Sequence, residues 1–136
     1  MAYWLAKTEP ESYSYADLER LGHDRWNGVK NFTALKHLSR MEPKDLVFIY
    51  HTGKEKSVVG VAEVVSSAYP DPAETDDRFL VAEIEPRYRL KRPVTLKEIK
   101  QNPAFTEWEL VRQSRLSVMP VTQEHWHMIH HLANSG

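Results

Sequence analysis

Residues 46–66 read Leu-Val-Phe-Ile-Tyr-His-Thr-Gly-Lys-Glu-Lys-Ser-Val-Val-Gly-Val-Ala-Glu-Val-Val-Ser. Leu46 to His51 and Ser57 to Ser66 are rich in β-branched and aromatic side chains, which suit a pleated surface, and the polar tip Gly53-Lys54-Glu55-Lys56 divides them. This is the pattern of a hairpin. Before it, Tyr3 to Lys7 reads as a strand ended at Glu9-Pro10, because proline has no N–H for a central ladder. After it, Phe79 to Glu85 reads as a strand that Tyr88 to Leu90 continues past Pro86, and Leu116 to Val121 is a further short one.

Helices fill the intervals. Ser14 with Asp17 three residues on is a capping box, and Gly22 supplies a stop. Asn31 opens a second helix with Phe32, Leu35, Leu38 and Met41 on one stripe. Thr95 with Glu98 caps a third that ends before Asn102-Pro103. Thr122 caps a terminal helix whose buried stripe is Trp126, Ile129 and Ala133. Five or six short strands with short helices between them make an α+β fold, a curled or closed β-barrel with helices plugging its ends. No repeat or flexible linker interrupts it, so residues 1–136 read as a single domain.

Composition narrows the chemistry. With no cysteine, disulfides, thiolate nucleophiles and cysteine zinc sites are excluded. Apolar runs such as Leu46 to Tyr50 are far shorter than the roughly 18 residues that cross a bilayer, and Met1 is followed by Tyr-Trp-Leu-Ala-Lys rather than a basic-then-apolar leader, so a soluble, cytoplasmic protein is expected. The formal net charge of -1 hides a segregation. Residues 30–56 carry six basic groups against three acidic, and residues 87–100 carry six against one, whereas residues 57–86 carry one against seven. The two basic segments could line one face.

Four blocks carry a family resemblance: Tyr3-Trp4-Leu5-Ala6-Lys7-Thr8-Glu9-Pro10, Trp26-Asn27-Gly28-Val29-Lys30-Asn31, Tyr50-His51-Thr52 and Ser114-Arg115-Leu116-Ser117-Val118-Met119-Pro120-Val121. In this order, over most of the chain, they resemble the signature blocks of the EVE domain, found in the thymocyte nuclear protein family and in small bacterial proteins. The resemblance implies a PUA-like barrel related to the YTH readers of methylated RNA, a pocket for a modified base, notably a modified cytosine in DNA, and a bacterial source. The family usually has Asp and Arg where this chain has Asn27 and Lys30, and Ser where it has Thr52. Lys30 lacks the planar fork that pairs bidentately with phosphate, so these departures bear on substrate preference.

The residue chemistry agrees with a reader of a flipped base in DNA or RNA, with nucleic acid as the partner and no cofactor. Such a protein holds the base against aromatic rings and satisfies its polar edge with fixed donors and acceptors. Trp26, between Asp24-Arg25 and the turn at Gly28, suits a pocket wall, while Trp4 suits pocket floor or core equally. Polar readout could come from Lys7, Glu9, Asn27, Lys30, Asn31, Tyr50, His51, Thr52, Ser114 and Ser117. Asn31 also stands where an N-cap is needed, and His51 also fits a satisfied barrel-mouth histidine. Arg115 is a phosphate or base-edge candidate, or a partner for Glu63 or Glu83.

Two other chemistries compete. Lys7, Thr8, Glu9 and Ser117 could form a lysine-activated hydroxyl with a carboxylate base, as in the related ASCH hydrolases of modified nucleosides, but strand neighbours Lys7 and Thr8 face opposite ways. His125, His127, His130 and His131 could grip a metal, although the spacing favours adventitious binding and no metal site is expected.

Overall fold

The computed structural model describes residues 1–135. In chain order its elements are β1 (Tyr3–Thr8), α1 (Tyr15–Leu21), β2 (Asp24–Trp26), α2 (Phe32–Leu38), β3 (Leu46–His51), β4 (Ser57–Val64), β5 (Tyr69–Pro70), β6 (Leu80–Thr95), α3 (Leu96–Gln101), α4 (Glu109–Arg112), β7 (Val118–Val121) and α5 (Gln123–Asn134). The caps read from sequence are in place: Ser14 and Thr95 form capping boxes, Gly22 takes the left-handed conformation (φ 74°), and Asn31 and Thr122 accept from the first turns of α2 and α5.

Among the described residues the strands form one mixed sheet in the order β2-β6-β4-β3-β1-β7, with β5 on β6. Only β1 and β3 run parallel; their connection carries α1, β2 and α2. The sheet curls into a half-barrel that stays open, with β2 and β7 as its edges. Seven strands replace the five or six expected, the additions being the short β2 and β5. A single β6 of 16 residues runs through Pro86 and Pro93, because register shifts against β4 relieve the ladder there.

One shift sits beside Gly60 and has a visible cause. A Cβ on Gly60 would lie 2.7 Å from the Tyr15 ring, so only a bare Cα lets that ring lie on the sheet. The fully buried Tyr15 then donates its hydroxyl to the Val61 carbonyl (2.8 Å), with the Tyr88 carbonyl at 3.0 Å, next to Pro86, which has no N–H to offer. On the other face Trp126 of α5 stacks on Phe48 (centroids 3.9 Å apart) and Tyr3 (4.4 Å). Each such pair contributes about 0.5–1.5 kcal/mol beyond its buried area.

Trp4 belongs to this core and not to a pocket. Its indole N–H donates to the buried Asp45 carboxylate (2.9 Å), which also accepts from the backbone N–H groups of Ala2 (2.9 Å) and Glu42 (3.0 Å). Strand alternation gives no answer here because β1, flanked by β3 and β7, buries Trp4, Leu5 and Ala6 in succession. Phe32 departs from its expected stripe: it is 54% exposed and stacks on Phe79 (5.9 Å), leaving Leu35, Leu38 and Met41 to the core.

Gly60→Ala should therefore cost about 1–3 kcal/mol by forcing the Tyr15 ring and the strand apart. Urea unfolding reads it, and a midpoint equal to wild type would show that the ring shifts without resistance.

Candidate functional site

Where the open sheet's edges approach, a cleft of about 270 Å³ is lined by the end of β1, by β2 and the turn after it, and by Ser117. The turn needs Gly28, whose φ of 76° would strain a residue with a side chain even though the space beside it is open. Trp26, held in β2 opposite Ala82 and only 8% exposed, forms a wall rather than a projecting plate. Tyr13 meets it edge-on (centroids 6.2 Å, interplanar angle 79°), which fixes the indole plane. Asn27, Gly28 and Val29 continue the lining.

The polar groups are tied down. The Tyr13 hydroxyl donates to Asp24 Oδ2 (2.6 Å), Asp24 Oδ1 accepts from the Arg25 N–H (2.8 Å), and the Thr8 hydroxyl donates to the Tyr13 carbonyl (2.6 Å). Burial, then the Asp24 hydrogen bond and charge, hold the Tyr13 phenol well above its usual range. The Lys7 ammonium donates to the Ser114 carbonyl (2.9 Å) and lies 5.7 Å from the Tyr50 ring centroid. Desolvation lowers the pKa of Lys7 and pushes Tyr50 up to about 12. The cleft thus offers an acid, an ammonium, a guanidinium, an amide and three hydroxyls around one indole.

Of the residues singled out from sequence, Lys7, Trp26, Asn27 and Ser117 line this cleft. Lys7 and Thr8 both reach it, despite opposite strand parity, because it wraps the strand's end. Asn31, Ser114 and Arg115 line a neighbouring depression of about 320 Å³, while Asn31 also caps α2. Arg115 is exposed and pairs with neither Glu63 nor Glu83, which take Arg87 and His23.

The remainder lie elsewhere. Lys30 pairs with Glu74 and covers Phe79. Glu9 faces the Thr52 hydroxyl (3.2 Å) outside the lining, and Tyr50 is buried under Lys7. His51 is buried, accepting the Tyr15 N–H at Nε2 (3.0 Å) and donating from Nδ1 to Glu55 (3.1 Å), so it closes the start of α1. The histidines of α5 do not converge: His125 bonds the Ala104 carbonyl and His130 the Trp126 carbonyl. No cluster of three metal-binding side chains occurs among the described residues. Sequence reading missed Tyr13 and Asp24, although strand spacing places Asp24 on the same face as Trp26.

The family model described as the EVE domain matches residues 2–132. Mouse thymocyte nuclear protein 1 is 29% identical over 161 residues, spanning 93% of this chain and 71% of its own length. The solved structure of Rpa0253 from Rhodopseudomonas palustris superposes with a TM-score of 0.92 at 38% identity, over 98% of this chain and 93% of that one. The human THYN1 protein in complex with 5-methylcytosine-containing DNA superposes with a TM-score of 0.92 at 26% identity, over 100% of this chain and 99% of that one.

Tyr13→Phe should lower stability at neutral pH by about 1 kcal/mol through loss of the Asp24 bond. Because the folded phenol keeps its proton above the unfolded value near 10, the stability it contributes is complete below pH 10 and drains as pH rises past it. Urea titrations across that range should show a shallower alkaline decline in the variant than in wild type.

Proposed function

The chain belongs to the EVE domain family, and from that premise we propose that it binds nucleic acid by accepting one flipped, modified base in the Trp26 cleft, a modified cytosine in DNA being the favoured occupant. The observation that carries this reading is the single indole wall bordered by Asp24, Lys7 and Asn27 in a cleft of about 270 Å³. A cleft of this volume lies near the lower end of the range for small-molecule pockets, about 300–1,000 Å³, the size class of a single substituted base. Asp24 is placed to accept from an exocyclic amine, while Lys7 and Asn27 donate to a ring nitrogen and carbonyl. The human THYN1 protein in complex with 5-methylcytosine-containing DNA supports modified cytosine in DNA as the partner.

A hydrolase of modified nucleosides is the second reading, favoured by Lys7, Thr8 and Ser117 sharing the cleft. Against it, the carboxylate that would serve as base, Glu9, lies with Thr52 outside the lining. Release of acetate from acetylated cytidine, abolished by Lys7→Ala, would replace the binding reading with this one.

Stacking on an aromatic side chain is worth about 1–3 kcal/mol per base, so Trp26→Ala should weaken binding of a 5-methylcytosine oligonucleotide about 5- to 150-fold. Asn27, being exposed, can be changed to Ala without disturbing the core and should erode base preference instead. A methyl group filling an apolar niche contributes about 0.8 kcal/mol, so preference over plain cytosine should be about three- to tenfold. Fluorescence anisotropy with paired oligonucleotides measures both effects, and equal affinity for the modified and plain forms would reject the reader.

A further inference from the structure

The two basic segments of the sequence meet at a place the base cleft does not use. Register pairing of Ser57 with Thr95 brings the β3–β4 tip beside the start of α3, and the Leu96 N–H clips it there by donating to the Lys56 carbonyl (2.8 Å). Between them lies a groove of about 540 Å³, larger than the cleft, into which Lys54 and Lys56 come from one basic segment and Lys97 and Lys100 from the other. None of these lysines has a salt bridge among the described residues, whereas Arg78, Arg87, Arg89, Arg92 and Arg112 all do. The groove's one acid, Glu55, is turned to His51 Nδ1 (3.1 Å). Lys56 turns the chain there at φ 41°, in the left-handed region.

We infer that this groove is a second nucleic-acid contact, which grips the phosphate backbone of the strand whose flipped base occupies the Trp26 cleft. It deepens the base-reader assignment and rests on it. The groove adjoins the cleft through the hairpin, since Thr52 N–H donates to the Thr8 carbonyl (2.9 Å) at the cleft's edge. From Tyr50, under Lys7, to Lys54 is four residues, at most about 14 Å of chain, a span of only a few nucleotides. Unpaired ammonium groups on such a track attract phosphate without regard to sequence and release its counterions.

The test uses the full chain, a duplex with one 5-methylcytosine and its plain counterpart, and affinity measured against salt. Neutralising all four lysines (K54Q, K56Q, K97Q, K100Q) should lower the slope of log K against log salt by about 0.9 for each phosphate that the groove no longer neutralises. For two such phosphates, wild type should shed about tenfold more affinity than the variant between about 50 and 200 mM salt. The preference for the methylated duplex should stay as in wild type. Each half alone, K54Q/K56Q or K97Q/K100Q, should give a partial change, and R40Q/K44Q, at the other end of β3, none. A wild-type slope in the fourfold variant overturns the groove whatever the preference. A wild-type preference of one overturns the base cleft whatever the slope.

Discussion

The Tyr15 ring lying on the bare Cα of Gly60 is the contact from which the rest of the arrangement follows. It stands where a side chain would otherwise be, at the point where β4 and β6 lose register. Its hydroxyl takes the carbonyls of Val61 and Tyr88 beside a proline that cannot complete the ladder. Tyr15 is also the first residue of α1, and its backbone N–H is received by His51 at the end of β3. Three strands and one helix are thus locked by a single aromatic residue. The segment just before it, Tyr13 and Ser14, can then go nowhere except against Trp26 and the α1 cap.

An open sheet has an unpaired edge on each side, and here the seam between the edges becomes the site. Water or a ligand must satisfy the backbone there, because no ladder does. The seam is narrowed by side chains of fixed orientation, Tyr13 by Asp24 and Lys7 by the Ser114 carbonyl. Half-burial of the ammonium disfavours its charged form, a cost that an acceptor on a bound base would offset. The fold therefore supplies preorganised polar groups in a place that its own core does not fill.

Local signals were legible in the sequence and distant ones were not. Ser14–Asp17, Asn31, Thr95–Glu98 and Thr122 declare helix starts because a cap is an interaction between residues three apart. The hairpin was equally legible, since its partners are adjacent in the chain. Strand β2 was invisible: three residues become a strand only by pairing with Ala82 to Ile84, some sixty positions later. Trp4 could not be assigned, because the acid that claims its indole is Asp45, 41 residues away. In the cleft, Trp26 stood out by its place between charged residues and a turn, and Asn27 through the family resemblance, but Tyr13 did not, as its role depends on where α1 is anchored.

Selectivity and strength are then the business of different surfaces. A methyl niche is worth about 0.8 kcal/mol and a stacked base about 1–3 kcal/mol, and part of that is spent on unstacking the base. A cleft of this size cannot hold a duplex by itself at physiological salt, so the affinity must come from charge acting on phosphate. A chain with formal net charge -1 can do this only by segregating its charges. The separation of acidic residues 57–86 from basic residues 30–56 and 87–100 accomplishes it once β4 pairs with β6 and sets the two basic ends side by side. The ladder that builds the sheet also assembles the positive face.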